Sequence, residues 1–114
     1  MRASRACPEK RIVSSGGGCQ HLEVRATRDR RGRTVALTEA AIDHILGSHK
    51  EMAPHLDGVL RAVERPTVHL RGRAANEEWY FLAGAGPALW LHVVVHFFGE
   101  EGSVTTAFGR SRLP

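Results

Sequence analysis

Around Pro66 the spacing of apolar residues changes period, and that change sets the fold class. Upstream, Ile42, Ile45 and Leu46 recur at i, i+3 and i+4, and Leu56, Val59, Leu60 and Val63 repeat the spacing, the stripe of an amphipathic helix. Thr38 is placed to accept an orphaned backbone N–H as N-cap, with Leu37 and Ile42 at the two ends of a hydrophobic staple. Gly47 suggests that the first helix ends nearby, leaving His49 in or just past its last turn. Pro54 suits the first turn of a second helix, which Pro66 ends. Downstream the period is two. Residues 67–70, 77–83, 88–98 and 103–109 read as strands, joined by "RGRAANE", "GAGP" and "GEEG". Short strands are also expected over 21–27 and 33–37, with the charged turn "RDRRG" between them. The long strand would place Leu89, Leu91, Val93, Val95 and Phe97 on a face packed against helices. Trp90, His92, Val94, His96 and Phe98 would lie on a more open one. Of the adjacent Trp79 and Tyr80, one belongs to the core and the other to the rim. The expected architecture is α+β: two N-terminal helices packed on one face of a four- to five-stranded antiparallel sheet.

The chain has 114 residues, room for one domain. Residues 1–20, with the run Gly16-Gly17-Gly18, have too little to bury against the entropy of ordering them. They read as a disordered basic leader ahead of a single domain over 21–114. Cys7 and Cys19 both fall in that leader, so neither a disulfide framework nor a zinc site of cysteine pairs is expected. No apolar run is long enough to span a membrane, and a reducing, cytoplasmic setting is expected. Basic charge is concentrated early. Residues 1–36 hold nine Lys/Arg against three Asp/Glu, and residues 37–114 hold seven against nine. The basic segment suits phosphates, but equally a solubilising tail or the docking surface for an acidic inhibitor.

Three phrases carry a resemblance: "DHILGSHKE" on the first helix, "EEWYFLAG", and "SVTTAFG" at the end of the sheet. In this order, over roughly residues 37–109, they resemble the small ribonuclease-toxin domains grouped with barnase, EndoU, the tRNA-cleaving colicins and RelE, in their phage- and mobile-element-associated branch. His44, His49 and the acidic residue two beyond match the family's first-helix pattern, although many relatives carry proline where this chain has Lys50. Thr106 matches the hydroxyl residue that precedes Ala and an aromatic in the last strand. The resemblance implies a metal-independent endoribonuclease toxin that cleaves cellular RNA, restrained by a cognate antitoxin or immunity protein. It assigns His44, His49 and Thr106 to catalysis. A catalytically inactive relative that binds RNA or a protein remains an alternative, as does a DNA-acting hydrolase on the same scaffold.

Cleavage by the 2′-hydroxyl needs a proton acceptor, a proton donor and fixed positive charge for the crowded phosphorus centre. Histidine titrates near neutrality, at about 6.5. Arg71 and Arg73, two apart at a strand end, offer guanidinium forks to phosphate. The bland alternative pairs them with Glu77 and Glu78. His92 shares a strand face with Trp90, a stacking platform for a base. With His96 it suggests half of a metal site, but no Cys, Asp or Glu stands near enough on that face to complete one. No cofactor is expected, and no glycine-rich phosphate loop is present. His55 and His69 have no partner that the sequence identifies.

Overall fold

The computed structural model describes residues 25–114. The leader expected over 1–20, with both cysteines, and residues 21–24 of the first expected strand lie outside them. The described chain runs β1 (Arg25–Arg28), β2 (Thr34–Leu37), α1 (Glu39–Ser48), a 3-10 segment (Lys50–His55), α2 (Leu56–Glu64), β3 (Val68–Arg71), β4 (Glu77–Ala83), β5 (Trp90–Phe98) and β6 (Glu101–Arg110). Thr38 caps α1 as expected, its hydroxyl accepting the Ala41 N–H at 3.1 Å. Pro54 lies inside the 3-10 segment and not in the first turn of α2. No described helix is long and apolar enough to cross a membrane.

The fold is α+β, but its sheet is larger than expected and mixed. Six strands lie in the order β1-β2-β6-β5-β4-β3. The antiparallel meander β3–β6 is as expected. The correction lies at its edge, where β6 runs parallel to β2 through Thr34↔Glu101, Val35↔Gly102 and Ala36↔Ser103. Strand patterns report local periodicity, whereas this three-pair ladder joins residues some 67 positions apart. It recruits the β1–β2 hairpin into one continuous sheet.

The helices cover one face. α2 lies across β4 and β5 and touches β1, while α1 packs along β6. Between them Leu37, Ile45, Met52, Val59, Leu91 and Val93 are completely buried. A Cβ on Gly58 of α2 would sit 3.0 Å from the Ala85 carbonyl oxygen and 3.2 Å from Leu91 Cδ2, so glycine there permits the close approach of helix and sheet. Leu89, expected on this buried face, precedes β5 and is 69 % exposed.

The turn read as simply charged is a buried anchor. Asp29 folds its carboxylate back onto its own turn, accepting the Arg31 and Arg33 backbone N–H groups at 2.9 Å each and Arg33 Nε at 2.9 Å. Gly32 completes the turn at φ +81°. The Arg33 guanidinium then donates to both oxygens of Glu78 on β4, at 2.8 and 2.7 Å, and lies 3.8 Å over the Phe97 ring. Tyr80 donates to Asp29 at 3.1 Å, and His69 Nε2 contacts Glu78 at 2.6 Å. The hydrogen bonds from Arg33, against the cost of burial, hold Glu78 at about 2. Burial pushes the Tyr80 hydroxyl well up, reinforced by the Asp29 and Glu78 charges.

Removing the cation would strand two carboxylates in a nearly dry site. Arg33→Met should therefore cost about 3–5 kcal/mol in urea unfolding at pH 7. The acid response should change with it. A carboxylate with a depressed folded-state pKa stabilises fully above its unfolded value, and that contribution is lost as pH falls through the folded value. For Glu78 the window runs from 4.5 down to about 2. The parent protein should lose stability across that window, and Arg33→Met should show little of the loss. An unchanged pH profile in the variant would contradict the role given to Arg33.

Candidate functional site

Two phrases quoted for the resemblance, nearly sixty residues apart in the chain, meet in space. His49 is the C-cap of α1. Its backbone N–H reaches the Ile45 carbonyl and its own carbonyl accepts from Met52, so the junction with the 3-10 segment is pinned on both sides. The imidazole is about one-third exposed, with Nδ1 3.5 Å from Glu51 Oε2. Its ring stacks on Phe108 of β6, centroids 5.3 Å apart at 27°. Because α1 packs along β6, the C-terminal end of the helix brings His49 to the sheet's edge.

Phe108 belongs to the sheet face opposite the core. The register sets this face out as rows across β4, β5 and β6. Ala83, Trp90 and Arg110 form one row, Phe81, His92 and Phe108 the next, and Trp79, Val94 and Thr106 the third. The face was expected to be open, but its centre is not. Phe81 is completely buried and His92 is 2 % exposed, with the imidazole 4.4 Å from Phe81, 4.8 Å from Phe108 and 4.9 Å from Trp79, centroid to centroid. Arg110 Nη1 approaches His92 Nδ1 at 3.3 Å. A guanidinium only donates, so Nδ1 accepts and Nε2 carries the proton. Nε2 has no hydrogen-bond partner among the described residues. Burial first, then the Arg110 charge, pulls His92 down to about 4, opposed by Glu77. His92 is thus neutral at pH 7 and lies beneath the surface, where it was expected to line a groove.

Thr106 reaches this face through a β-bulge. Thr106 pairs with Val94 while Val104 pairs with the adjacent Val95, leaving Thr105 as the extra residue. Counted from the buried Val104, strict alternation would turn Thr106 toward the core, and the bulge turns it outward instead. Thr105 is exposed and its hydroxyl donates to the Val94 carbonyl at 3.2 Å.

Four of the seven residues singled out from sequence therefore collect here: His49 at the edge, with Trp90, His92 and Thr106 on the face. His44 is exposed on α1 and makes no hydrogen bond or ring contact to a described residue. Arg71 pairs across the ladder with Glu78, on the helix side of the sheet, so Arg71 and Thr106 stand on opposite faces. Arg73 is exposed in the following turn. Glu78 binds Arg33 and His69, and Glu77 accepts the Trp79 indole N–H at 2.6 Å. Neither glutamate pairs with Arg71 or Arg73. The cation that joins the site is Arg110, missed by the sequence reading. Its position two residues after Phe108, at same-face spacing, was the available signal. Among the described residues no group of three His, Cys, Asp or Glu side chains is placed to hold a metal. The assembled groups comprise an imidazole about one-third exposed and backed by a carboxylate, a guanidinium, a hydroxyl and two partly buried indoles. Together they provide proton transfer, anion binding and stacking.

His92 gives this face a measurable pH response. The unfolded chain takes up its proton near 6.5 and the folded protein only near 4. The unfolded state therefore binds more protons between these values, and stability falls as pH drops through them, by on the order of 3 kcal/mol. His92→Phe should remove that component. The loss in urea-unfolding free energy from pH 7 to 4.5 should shrink by most of this amount. An equal loss in both proteins would show that His92 is not held neutral by the fold.

No protein-family model, curated protein or solved structure matches this chain.

Proposed function

We propose that this domain is a metal-independent endoribonuclease acting at the sheet face that carries Thr106, Phe108 and Arg110, with His49 as its acid–base group. The observation that supports the reading most directly is the His49–Phe108 stack. The helix phrase and the strand phrase that separately resemble the ribonuclease-toxin domains are in contact. Arg110 and Thr106 flank Phe108 at same-face spacing, so a phosphate laid along β6 meets a guanidinium fork and a hydroxyl. Trp79 and Trp90 offer rings to unpaired bases.

In the proposed reaction His49 takes the proton from the ribose 2′-hydroxyl as O2′ bonds to phosphorus. The P–O5′ bond breaks, and the same imidazole returns the proton to the leaving O5′. The products are a 2′,3′-cyclic phosphate and a 5′-hydroxyl, with no net proton change. Glu51 orients the ring and stabilises its charged state. Arg110 and Thr106 stabilise the equatorial oxygens of the transition state. By the same resemblance the domain is a toxin restrained by a cognate antitoxin or immunity protein. One observation favours a non-cleaving RNA binder of the same fold instead. Of the three imidazoles on this face, His92 is buried and neutral and His96 pairs with Glu77 and Ser103 toward the other end of β5, which leaves His49 as the one beside Phe108.

Single-stranded RNA incubated with the purified full chain should yield 2′,3′-cyclic phosphate ends in the presence of EDTA. His49→Ala should slow cleavage about 100-fold or more, and Arg110→Ala by a comparable order, with melting temperatures near the parent's. RNA bound but uncut by the parent would establish the non-cleaving relative. Cleavage undiminished in His49→Ala would remove His49 from the mechanism.

A further inference from the structure

At the end of the sheet away from His49's contact with β6, a cleft of about 420 Å³ opens between the β1–β2 turn and the β3–β4 turn, with His69, Arg71 and Glu78 from the helix-side face and Leu70 and Glu77 from the other. Its charged walls are Arg30 and Arg31 from the first turn and His69 and Arg71 from β3, with Glu77 and Glu78 from β4. We propose that this cleft is a phosphate-binding site, separate from the proposed catalytic face, that takes the phosphate oxygens of a nucleotide or an oligonucleotide backbone.

The argument rests on which charges are already engaged. Glu78 is saturated by two hydrogen bonds from Arg33 and one contact with His69. Glu77 accepts from the Trp79 indole. Arg30, Arg31 and Arg71 make no ion pair or hydrogen bond through their side chains to any described residue. Three guanidinium groups with forks uncommitted among the described residues thus surround one concavity, and each fork matches a pair of phosphate oxygens.

The frame that presents them is rigid. The Asp29 carboxylate accepts the Arg31 N–H, which fixes the turn that carries Arg30 and Arg31. His69 is stacked on Tyr80 at 4.2 Å and tied to Glu78, which fixes the strand that carries Arg71. A site whose backbone is set in advance loses less entropy when a ligand binds. Leu70 is the one apolar side chain of the lining, so the cleft suits an anion better than an apolar molecule.

The site stands independently of the cleavage reading, because Arg71 and Thr106 lie on opposite faces of the sheet. The test uses the full chain and two probes at low salt: inorganic pyrophosphate by calorimetry, and a 2′-O-methyl oligonucleotide, which cannot be cleaved, by fluorescence anisotropy. Arg71→Gln, and Arg30→Gln with Arg31→Gln, should each weaken at least one probe about tenfold. His49→Ala should leave pyrophosphate binding unchanged, and the exposed control substitutions Arg65→Gln and Arg112→Gln should have little effect on either probe. If only the oligonucleotide responds, the slope of log K against log salt should fall by about 0.7 for each phosphate contact removed, and the ligand is the nucleic-acid backbone. If only pyrophosphate responds, the ligand is a free phosphoanion. The proposal is overturned if the cleft variants leave both probes unweakened, if the control arginines matter equally, or if a poly-glutamate peptide displaces either probe as readily as phosphate does.

Discussion

The guanidinium of Arg33 is the interaction on which the rest of the molecule depends. It sits at the entrance to β2, satisfies Asp29 in its own turn, crosses the Phe97 ring of β5 and ends on Glu78 of β4. Its contacts therefore tie its own turn to two strands, β4 and β5, and they secure the β1–β2 hairpin, which otherwise joins the meander through only a short parallel ladder. A buried ion pair gives little net stability over well-packed apolar groups, because desolvation offsets most of the Coulombic gain. Its contribution here is selectivity. A hairpin docked in another register would keep the Asp29–Arg33 pair but part Arg33 from Glu78, leaving a partly buried carboxylate without its cation at a cost of several kcal/mol.

The same clamp accounts for the difference between the two faces of the sheet. On the helix side it consumes the carboxylate of Glu78 and so leaves the arginines of the neighbouring turn and strand without acidic partners among the described residues. On the other side no described helix covers the sheet, and aromatic rings bury its centre. His92 replaces what could have been another ring, and it remains neutral because Phe81, Phe108 and Trp79 exclude water while Arg110 supplies a nearby positive charge. The imidazole that meets Phe108 from outside this cluster is His49, held where helix and strand meet.

Local patterns made much of this legible. The N-cap at Thr38, the helix stripes, the limits of β4 and the division of labour between Tyr80 and Trp79 all follow from period and propensity, and all are present. Non-local events were not legible. Nothing in the short apolar run of β2 marks β6 as its parallel partner. Nothing in "RDRRG" marks Asp29 and Arg33 as buried, although their i, i+4 spacing allowed the pair to close on itself. His69, without an identifiable partner in sequence, acquires Glu78 only when β3 and β4 are in register. For the site, the sequence supplied His49 and Thr106 but combined them with Arg71, since side chains near strand ends can be assigned to a face only once the strand's neighbours are known.

The bulge at Thr105 sets which side chains of β6 can act together. Val104 and Ala107 are both buried in the core although they lie three positions apart, a spacing that a regular strand cannot direct to one face. Two residues placed opposite one on β5 resolve the conflict. Were the same ten residues a regular strand without the bulge, Thr106, Phe108 and Arg110 would continue the face of Val104 and point beneath the helices, into a core with no room for a guanidinium. With it, the last third of β6 is rotated outward. Phe108 then meets His49, Arg110 meets His92, and Thr106 joins Trp79 and Val94 in one row. The hydroxyl of Thr105, bonded to the Val94 carbonyl, supplies a local hydrogen bond at the point where the ladder is interrupted. The candidate site is therefore a consequence of one inserted residue in one strand, and the phrase "SVTTAFG" carries both the inserted residue and the side chains it turns outward.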